Sequence, residues 1–355
     1  MIRLFCANRL AKALHLPSEP YTGDVPELDK WCVKDTTIRR QNVIVAMCAD
    51  TRFGFILWGV KKAQYAVLPE LIAEGIRRTF RLYGIRQEIT DEYLSEVPML
   101  CTGVSRQDST ELSRILAPFA DKVYSVQNPM DLVSHWYVCR INKRPVYQEK
   151  DLYCPYERML ERLQVRYDMK PICRPAFELT AKIDLGSCIS TRTLVVPAEY
   201  TFGDLHEILQ DAYDWGNRHP YRFIVNDQWI SNEKPPLDHP SVLSRRTPLS
   251  SILEEGSTFR YTYENGDNWD MSIHVDSIKQ DFDQPHPICT AAEGASPPEH
   301  LGGVHGFELL MQVYNDPKHP HYKAVMNKVG ETWSPKPDII YINVILGYCL
   351  PRYTE

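Results

Sequence analysis

The segment spanning residues 256–307 constrains this chain more than any other, because it concentrates turn formers, aromatics and charges. Its first part reads GSTFRYTYENGDNWDMSIHVDSI. Phe259, Tyr261 and Tyr263 alternate with polar residues, and Trp269, Ile273 and Val275 resume the alternation further on. Asn265 and Gly266 between them offer the pair of φ > 0 residues that a tight turn needs, so a β-hairpin is predicted. The second part, CTAAEGASPPEHLGGVHGF, predicts a loop held by Pro297, Pro298, Gly302 and Gly303. The hairpin is expected to extend a sheet built by the segments before it.

At 355 residues with 43% hydrophobic content the chain is long enough for two domains with proper cores. The run DMKPICRP, with Pro171 and Pro175, breaks a helical pattern just before a strand begins, which puts one α+β domain at residues 1–170, a linker at 171–175 and a second α+β domain at 176–355. In the first, NVIVAMC from Asn42 and FGFILWGV from Phe53 predict a hairpin at the centre of the first sheet. Leu68, Leu71, Ile72, Ile76 and Phe80 recur at helical spacing and predict a helix that buries one face against that sheet. Asp108 with Glu111 three residues on predicts a capped helix start, KVYSV from Lys122 a strand, Asn128-Pro129 a second helix start, and residues 156–167 a further helix.

Beyond the linker, residues 177–183 and 191–196 predict paired strands joined around Gly186. Thr201 caps a helix in which Leu205, Ile208, Leu209, Ala212 and Tyr213 share one face, and YRFIV from Tyr221 is the next strand. Strand, strand, helix, strand is the opening order of a ubiquitin-like β-grasp, extended here by the hairpin and by C-terminal helices. Residues 231–247 read as a loop. The last apolar run, IIYINVIL from Ile339, is either a strand or a buried helix; periodicity does not separate the two.

Ten cysteines are scattered without a CxxC or any paired zinc-ribbon spacing, which predicts reduced structural thiols. The opening run MIRLFCANRLAKAL is interrupted by Arg3, Arg9 and Lys12, and no stretch approaches the roughly 18 to 20 apolar residues of a membrane helix, so a cytoplasmic protein with no membrane contact is expected. Charge is divided unevenly within the net −6: residues 1–170 carry 25 Lys+Arg against 21 Asp+Glu, and residues 171–355 carry 15 against 25. The acidic half is a poor match for a phosphate backbone and a better one for a basic protein surface.

Candidate residues fall in three groups. Arg77, Arg78 and Arg81 line the polar face of the first long helix; they offer a nucleic-acid contact, against the plainer reading in which Glu74 pairs with Arg78 at i, i+4. Asp267 and Asp270 beside Trp269 have the composition of an acid–base pair, against the reading in which Asp267 bonds within the turn and Trp269 anchors the core. His286, Cys289, Glu293, Glu299, His300 and His305 are metal-ligand types, but their spacing matches no closed site. His206 and His274 are expected to be structural. No GxxxxGK[ST], GxGxxG, HExxH or GxSxG occurs.

VPAEYTFGDLHEILQDAYDW, YTYENGDNW and ASPPEHLGGVHGF resemble, in order and spacing, the family named after an open reading frame of plasmid pRiA4b, over residues 176–346. RLFCANRLAKAL, VIVAMCADTRFGFILWGVKKA and SVQNPMDLVSHWY resemble a domain family of unknown function numbered 6933. The first resemblance implies an α+β domain associated with mobile elements and no established activity. Where that family has Tyr-Asp-Phe-Gly-Asp-x-Trp-Glu-His, this chain places Met271 at the histidine; where it has Cys-Pro-Pro-Glu-Asp-Cys-Gly-Gly, Ser296 and Leu301 replace both cysteines. The backbone-shaping residues remain and the polar set does not. The expectation is therefore a non-catalytic, cofactor-free protein-binding or regulatory protein of mobile elements or phages, such as an inhibitor of a host defence complex, with its contact surface at Tyr261, Tyr263, Asp267, Trp269, Glu299 and His300. The alternative is a metal-dependent or nucleic-acid-acting hydrolase using Asp267, Asp270, Glu299 and His300.

Overall fold

The computed structural model of the protein describes residues 1–119, 135–148, 150–232, 241–263, 266–330 and 333–352. The chain divides into two compact units, Met1–Cys173 and Arg174–Glu355.

The first unit is built from β1 (Arg3–Cys6), α1 (Asn8–Ala13), β2 (Lys30–Ile38), β3 (Gln41–Cys48), β4 (Gly54–Trp58), α2 (Leu68–Leu82), α3 (Gln87–Tyr93), β5 (Met99–Thr102), α4 (Arg106–Leu116), α5 (His135–Asn142), β6 (Val146–Gln148), β7 (Asp151–Tyr153) and α6 (Pro155–Tyr167). Its main sheet has the order β4-β3-β2-β1-β5. β1 lies parallel to both β2 and β5, while β2, β3 and β4 form an antiparallel meander. The β3–β4 hairpin forms where its two apolar runs predict it, but it occupies one edge of the sheet. The centre belongs to β2, KWCVKDTTI, a strand that the sequence reading does not assign because Lys34 and Asp35 interrupt its apolar run.

α2 packs its apolar stripe, Leu68, Ile72, Ile76 and Phe80, into the core. Gly75 sits where a Cβ would lie 2.1 Å from a Phe55 ring carbon, so only glycine lets this helix approach β4. On the other face of the sheet Leu112, Ile115 and Leu116 of α4 meet Cys32, Val43, Val45 and Met47. α4 starts one turn earlier than expected: Ser105 is the N-cap, accepting from the Asp108 amide at 3.0 Å, and Asp108 is its third residue. The strand expected from Lys122 and the cap at Asn128-Pro129 lie outside the described residues.

The second unit contains β8 (Arg174–Asp184), β9 (Ile189–Pro197), α7 (Phe202–Ala212), β10 (Tyr221–Val225), β11 (Gln228–Ser231), β12 (Ser241–Leu243), β13 (Thr258–Tyr263), β14 (Trp269–Phe282), β15 (Ile288–Glu293), α8 (Gly303–Asn315), α9 (Tyr322–Val329) and α10 (Ile339–Leu346). One eight-stranded sheet runs β12-β11-β10-β13-β14-β8-β9-β15. All its neighbours are antiparallel except β11 and β12. α7 is held at its start by a Thr201–Asp204 capping box, and Leu205, Ile208, Leu209, Ala212 and Tyr213 are all buried in the core that the sheet provides.

The β13–β14 hairpin places Tyr263 opposite Trp269 and Tyr261 opposite Met271. Among the described residues of its turn Asn268 is left-handed (φ 51°) and Gly266 is not; Asn265 lies outside the described residues. β11, β12 and β15 are short additions that the sequence reading leaves as loop, and β15 pairs with β9 across a register shift. The last apolar run is a helix, α10, capped by Asp338, whose carboxylate accepts from the Ile340 and Tyr341 amides at 3.0 Å each. The architecture is mixed α+β. Among the described residues no helix is long and apolar enough to cross a membrane.

Candidate functional site

The loop after β15, residues 294–303, crosses the end of the β13–β14 hairpin and is tied down along its whole length. Trp215, just past α7, donates its indole N–H to the Pro297 carbonyl at 2.8 Å. Trp333 does the same to the Ser296 carbonyl at 3.0 Å. Glu299 accepts from the Gly216 amide (2.8 Å) on one oxygen and from the Tyr263 hydroxyl (2.6 Å) on the other, and that hydroxyl in turn accepts from the Arg218 amide at 3.1 Å. Asp267, at the hairpin tip, accepts from the Leu301 and Gly302 amides at 2.7 and 2.9 Å. These bonds hold a backbone in which His300, Gly302 and Gly303 take φ of 59°, 96° and 67°. A Cβ on Gly303 would stand 2.8 Å from the Asp267 carbonyl oxygen, so this position requires glycine on both counts.

Behind the loop lies Arg192 of β9, wholly buried. Its guanidinium donates to the carbonyls of Ala212 (3.1 Å), Thr191 (2.8 Å), Glu293 (3.0 Å) and Gly294 (3.3 Å) and to the Ser296 hydroxyl (2.9 Å), and lies 4.6 Å over the Tyr213 ring. A planar fork with five N–H groups suits this work, where one ammonium would not. The end of α7 and the start of the loop are thus fastened to one side chain. Sequence reading misses it, although one signal is present: with a period of two, Arg192 falls on the same inward face as Ser190 and Leu194.

The expected contact aromatics are interior. Tyr261 and Tyr263 are 0% exposed and Trp269 is 1% exposed. The Tyr261 hydroxyl accepts from Gln210 Nε2 at 2.9 Å and meets His206 Nδ1 at 2.8 Å, while His206 Nε2 meets Asn217 Oδ1 at 2.7 Å. Burial pushes the His206 imidazole down to about 3, so it is neutral here, a structural histidine. Burial, then the Glu299 hydrogen bond, pushes the Tyr263 phenol far above its ordinary value, so it serves as a donor and not as a base. His300 is exposed; its Nε2 lies 3.3 Å from His219 Nε2, and its carbonyl accepts from Lys328 Nζ at 2.6 Å.

The remaining candidates separate. Asp270 is exposed and paired with Arg260 across the hairpin, engaged quite differently from Asp267, which faces the loop. Cys289 is buried and its thiol is pushed up by burial; its backbone is clasped by Asn343 of α10 at 2.8 and 2.9 Å. His286 meets the neighbouring Pro287 carbonyl, Glu293 is exposed, and His305 is 97% exposed. His274 is bonded to Thr258. Among the described residues no group of three His, Cys, Asp or Glu side chains could hold a metal ion. In the first unit, Arg78 pairs with Glu74 at 2.8 Å and Arg77 with Asp91 at 2.9 Å, as a solvated helix face does; Arg81 is exposed at the end of the same helix.

A rigid loop follows chemically. The carboxylates that a hydrolase would need are committed to backbone amides, a buried phenol or a surface arginine. Replacing Asp267 with alanine is expected to leave the Leu301 and Gly302 amides without their acceptor and to cost the loop about 2–3 kcal/mol. Hydrogen exchange at those two amides should quicken by roughly two orders of magnitude, while exchange in β8 and β9 stays as it was; unchanged rates at Leu301 would refute this account of the loop.

A second feature departs from the sequence reading, in which a helix over the last apolar run is buried. α10, IIYINVIL, is apolar but for Asn343, yet only Ile342 and Leu346 are buried within it. Ile340, Tyr341 and Val344 are 75%, 50% and 56% exposed, and Tyr348, one turn past Val344, is 47% exposed. The signal lay in that near-uniform apolarity: a helix without a polar face has more than one face to cover.

Both halves of the chain match a family model, and the chain has relatives. It is 28% identical over 156 residues to the uncharacterized protein y4hQ of Sinorhizobium fredii (strain NBRC 101917 / NGR234), a match covering 43% of this chain and 80% of the relative. It is also 28% identical to a crystal structure of a protein of unknown function, MM3350, from Methanosarcina mazei Go1, over 47% of this chain and 97% of that one, with a TM-score of 0.43. Residues 3–158 match the family described as a domain of unknown function, DUF6933. Residues 176–339, which contain α7, the hairpin and the pinned loop, match the family of plasmid pRiA4b ORF-3-like proteins.

Proposed function

We propose that this is a non-catalytic protein-binding or regulatory protein, and that its contact surface is the outward face of α10. The observation that carries this reading is the stripe Ile340, Tyr341 and Val344, three large apolar side chains half or more exposed on neighbouring turns, with Tyr348 47% exposed just past the helix. Apolar clusters of this kind mark interaction surfaces more often than scattered single residues do. Residues 171–355 carry 15 Lys+Arg against 25 Asp+Glu, so the partner it fits is a protein with an apolar patch rimmed by lysine and arginine. The family description names a plasmid, which supports a role in the biology of mobile elements in the cytoplasm, with inhibition of a host defence complex as its most specific form. A β-grasp-like core for the second unit is part of the same reading and rests on the order β8, β9, α7, β10, with α7 laid over the sheet.

The test is a tagged chain carrying Ile340→Glu and Val344→Asp, expressed in its own host. Both sites are exposed, so stability is expected to stay within about 0.5 kcal/mol of the parent. The expected result is loss of at least one protein that co-purifies stoichiometrically with the parent. If the double variant retains the same co-purifying proteins in the same amounts, α10 is not the contact surface. Light scattering of the parent at rising concentration separates a foreign partner from a second copy of this chain.

A further inference from the structure

In the first unit, the parallel strands β1 and β5 end side by side, with Cys6 in register with Thr102, and each runs directly into a helix: β1 into α1, β5 into α4. β2, parallel to β1, continues past it: Cys6 pairs with Val33, so Lys34, Asp35 and Thr36 project beyond the end of β1. Adjacent strand residues point to opposite faces. Lys34 reaches α4, its Nζ 2.7 Å from Ser113 Oγ and 3.3 Å from the Ser109 carbonyl, whereas Asp35 reaches α1, its Oδ2 3.1 Å from Arg9 Nε. The two helices therefore leave on opposite faces of the sheet, and a crevice opens between their starts. This is the position where open sheets with parallel strands bind ligands, outside the carboxyl ends of the strands where the connections diverge.

The crevice is a cavity of about 780 Å³, the size of site that encloses a small molecule. Its charged lining is Arg9, Lys34 and Arg106 against the single carboxylate of Asp35. That carboxylate is already engaged by Arg9. Lys34 is held only by neutral oxygens. Arg106 is exposed and has no acidic partner among the described residues; Asp108, the nearest carboxylate in sequence, is bound to Arg52 and to Ser105. A cation on the first residue of an eleven-residue helix stands at the wrong end of the helix dipole, where it is mildly destabilising unless an anion joins it. Ser105 caps the Asp108 amide, which leaves the Arg106 and Gln107 amides pointing out of the helix start with no acceptor among the described residues. Hydroxyls of Thr36, Ser109 and Ser113 form the wall next to these groups.

We propose that this crevice binds a phosphate ester of a hydroxylated small molecule of nucleotide size, with the phosphate on Arg106 and the first amides of α4 and the hydroxyl-bearing part along the Thr36–Ser109–Ser113 wall. The excess positive charge selects the dianion, and the uncapped amides supply directional donors that a chance cluster of cations would lack. The Thr36 and Ser109 hydroxyls offer donors and acceptors to a sugar, while the Ser113 hydroxyl, which donates to the Ser109 carbonyl and accepts from Lys34, fixes that lysine in the wall. The crevice is confined to the starts of α1 and α4 and the end of β2, which fits one phosphorylated unit better than it fits an extended strand.

The full chain is titrated with inorganic phosphate, ribose 5-phosphate and AMP, reading the Arg106 and Gln107 amide resonances together with heat. The expected result is saturable binding of ribose 5-phosphate or AMP at least about tenfold tighter than inorganic phosphate, centred on those two amides. Arg106→Glu should weaken it by at least about tenfold. Arg114→Glu, the same charge change further along α4 on a side chain 73% exposed, should leave it unchanged. Absence of saturation by any of the three below about 1 mM would overturn the proposal. So would equal weakening by both variants, which would reduce the effect to net charge. Inorganic phosphate binding as tightly as the esters would remove the ester class. A short single-stranded oligonucleotide that binds more tightly than AMP, with a steep salt dependence, would replace the proposal with a nucleic-acid contact.

Discussion

Replacing Arg192 with alanine is expected to destabilise the second unit by about 4 kcal/mol, because five acceptors, buried or partly so, lose their shared donor at once and a cavity opens beside the Tyr213 ring. In a unit of this size that is a fall of roughly 8–16 °C in the corresponding calorimetric transition. Arg192→Met keeps most of the volume and the contact with Tyr213 but none of the hydrogen bonds, and should fall short of the alanine variant by about 1 kcal/mol. Arg192→Lys keeps the charge, yet one ammonium cannot span acceptors contributed by β9, the end of α7 and the loop at Ser296, so it should behave more like methionine than like the parent. Burial lowers the guanidinium's proton affinity, but an arginine still stays charged at any ordinary pH, so the effect should not vary between pH 6 and 9. An alanine variant whose transition lies within about 2 °C of the parent would mean that the hub is not what fastens the loop.

The second large effect is a dependence on pH. Burial depresses the His206 imidazole from 6.5 to about 3. The unfolded chain therefore takes up a proton that the folded chain refuses, and this contribution, complete above pH 6.5, is lost as pH falls toward 3 at about 1.4 kcal/mol per pH unit. Glu207, the next residue on α7, has the opposite sign. Burial, opposed by its ion pair with Arg352 and reinforced by Asp204, raises its carboxyl from 4.5 to about 7. The folded state then holds a proton that the unfolded state has released, so its contribution is present below pH 4.5 and is lost as pH rises through 7. Between pH 4.5 and 6.5 the two slopes oppose each other and nearly cancel.

Glu207→Gln removes one side of that balance. The variant is expected to lose about 2–3 kcal/mol, relative to the parent, on going from pH 6.5 to 4.5. Denaturant midpoints taken at half-unit steps across this range measure it. Parallel curves for parent and variant would show that Glu207 titrates at an ordinary value and that the two residues do not counterbalance.

Both predictions concern side chains whose surroundings come from far along the chain, and that separates what was legible from what was not. α2, α7 and the β13–β14 hairpin could be read because each carries its own period, and because the Thr201 capping box and the Tyr261/Tyr263/Trp269 alternation lie within a few residues of the structure they specify; the β3–β4 hairpin could be read because two continuous apolar runs flank a short polar turn. β2 escaped notice because Lys34 and Asp35 interrupt its apolar run, and both are used at the end of the sheet. β15 and β12 escaped because short edge strands owe their existence to the neighbour they pair with. The start of α4 was misplaced because Ser105 and Asp108 are both good caps, and only the fold shows that Asp108 also binds Arg52.

The candidate site divides in the same way. The order of Pro297, Glu299, Gly302 and Gly303 predicts a shaped loop, since proline and glycine act on the backbone locally. Whether Glu299 met a substrate or a structural amide depended on Gly216 and Tyr263, and whether the Tyr261, Tyr263 and Trp269 rings faced a partner depended on α7 and on the loop laid over the hairpin. Side-chain period and turn chemistry, being local, determined from the sequence alone an α+β chain with these helices and hairpins. Burial and hydrogen-bond partnership are set by segments tens of residues away, so only the tertiary structure could turn the expected contact aromatics into core, commit the acidic candidates to scaffolding, and leave exposed instead the stripe on α10 and the cationic crevice at the ends of β1 and β5.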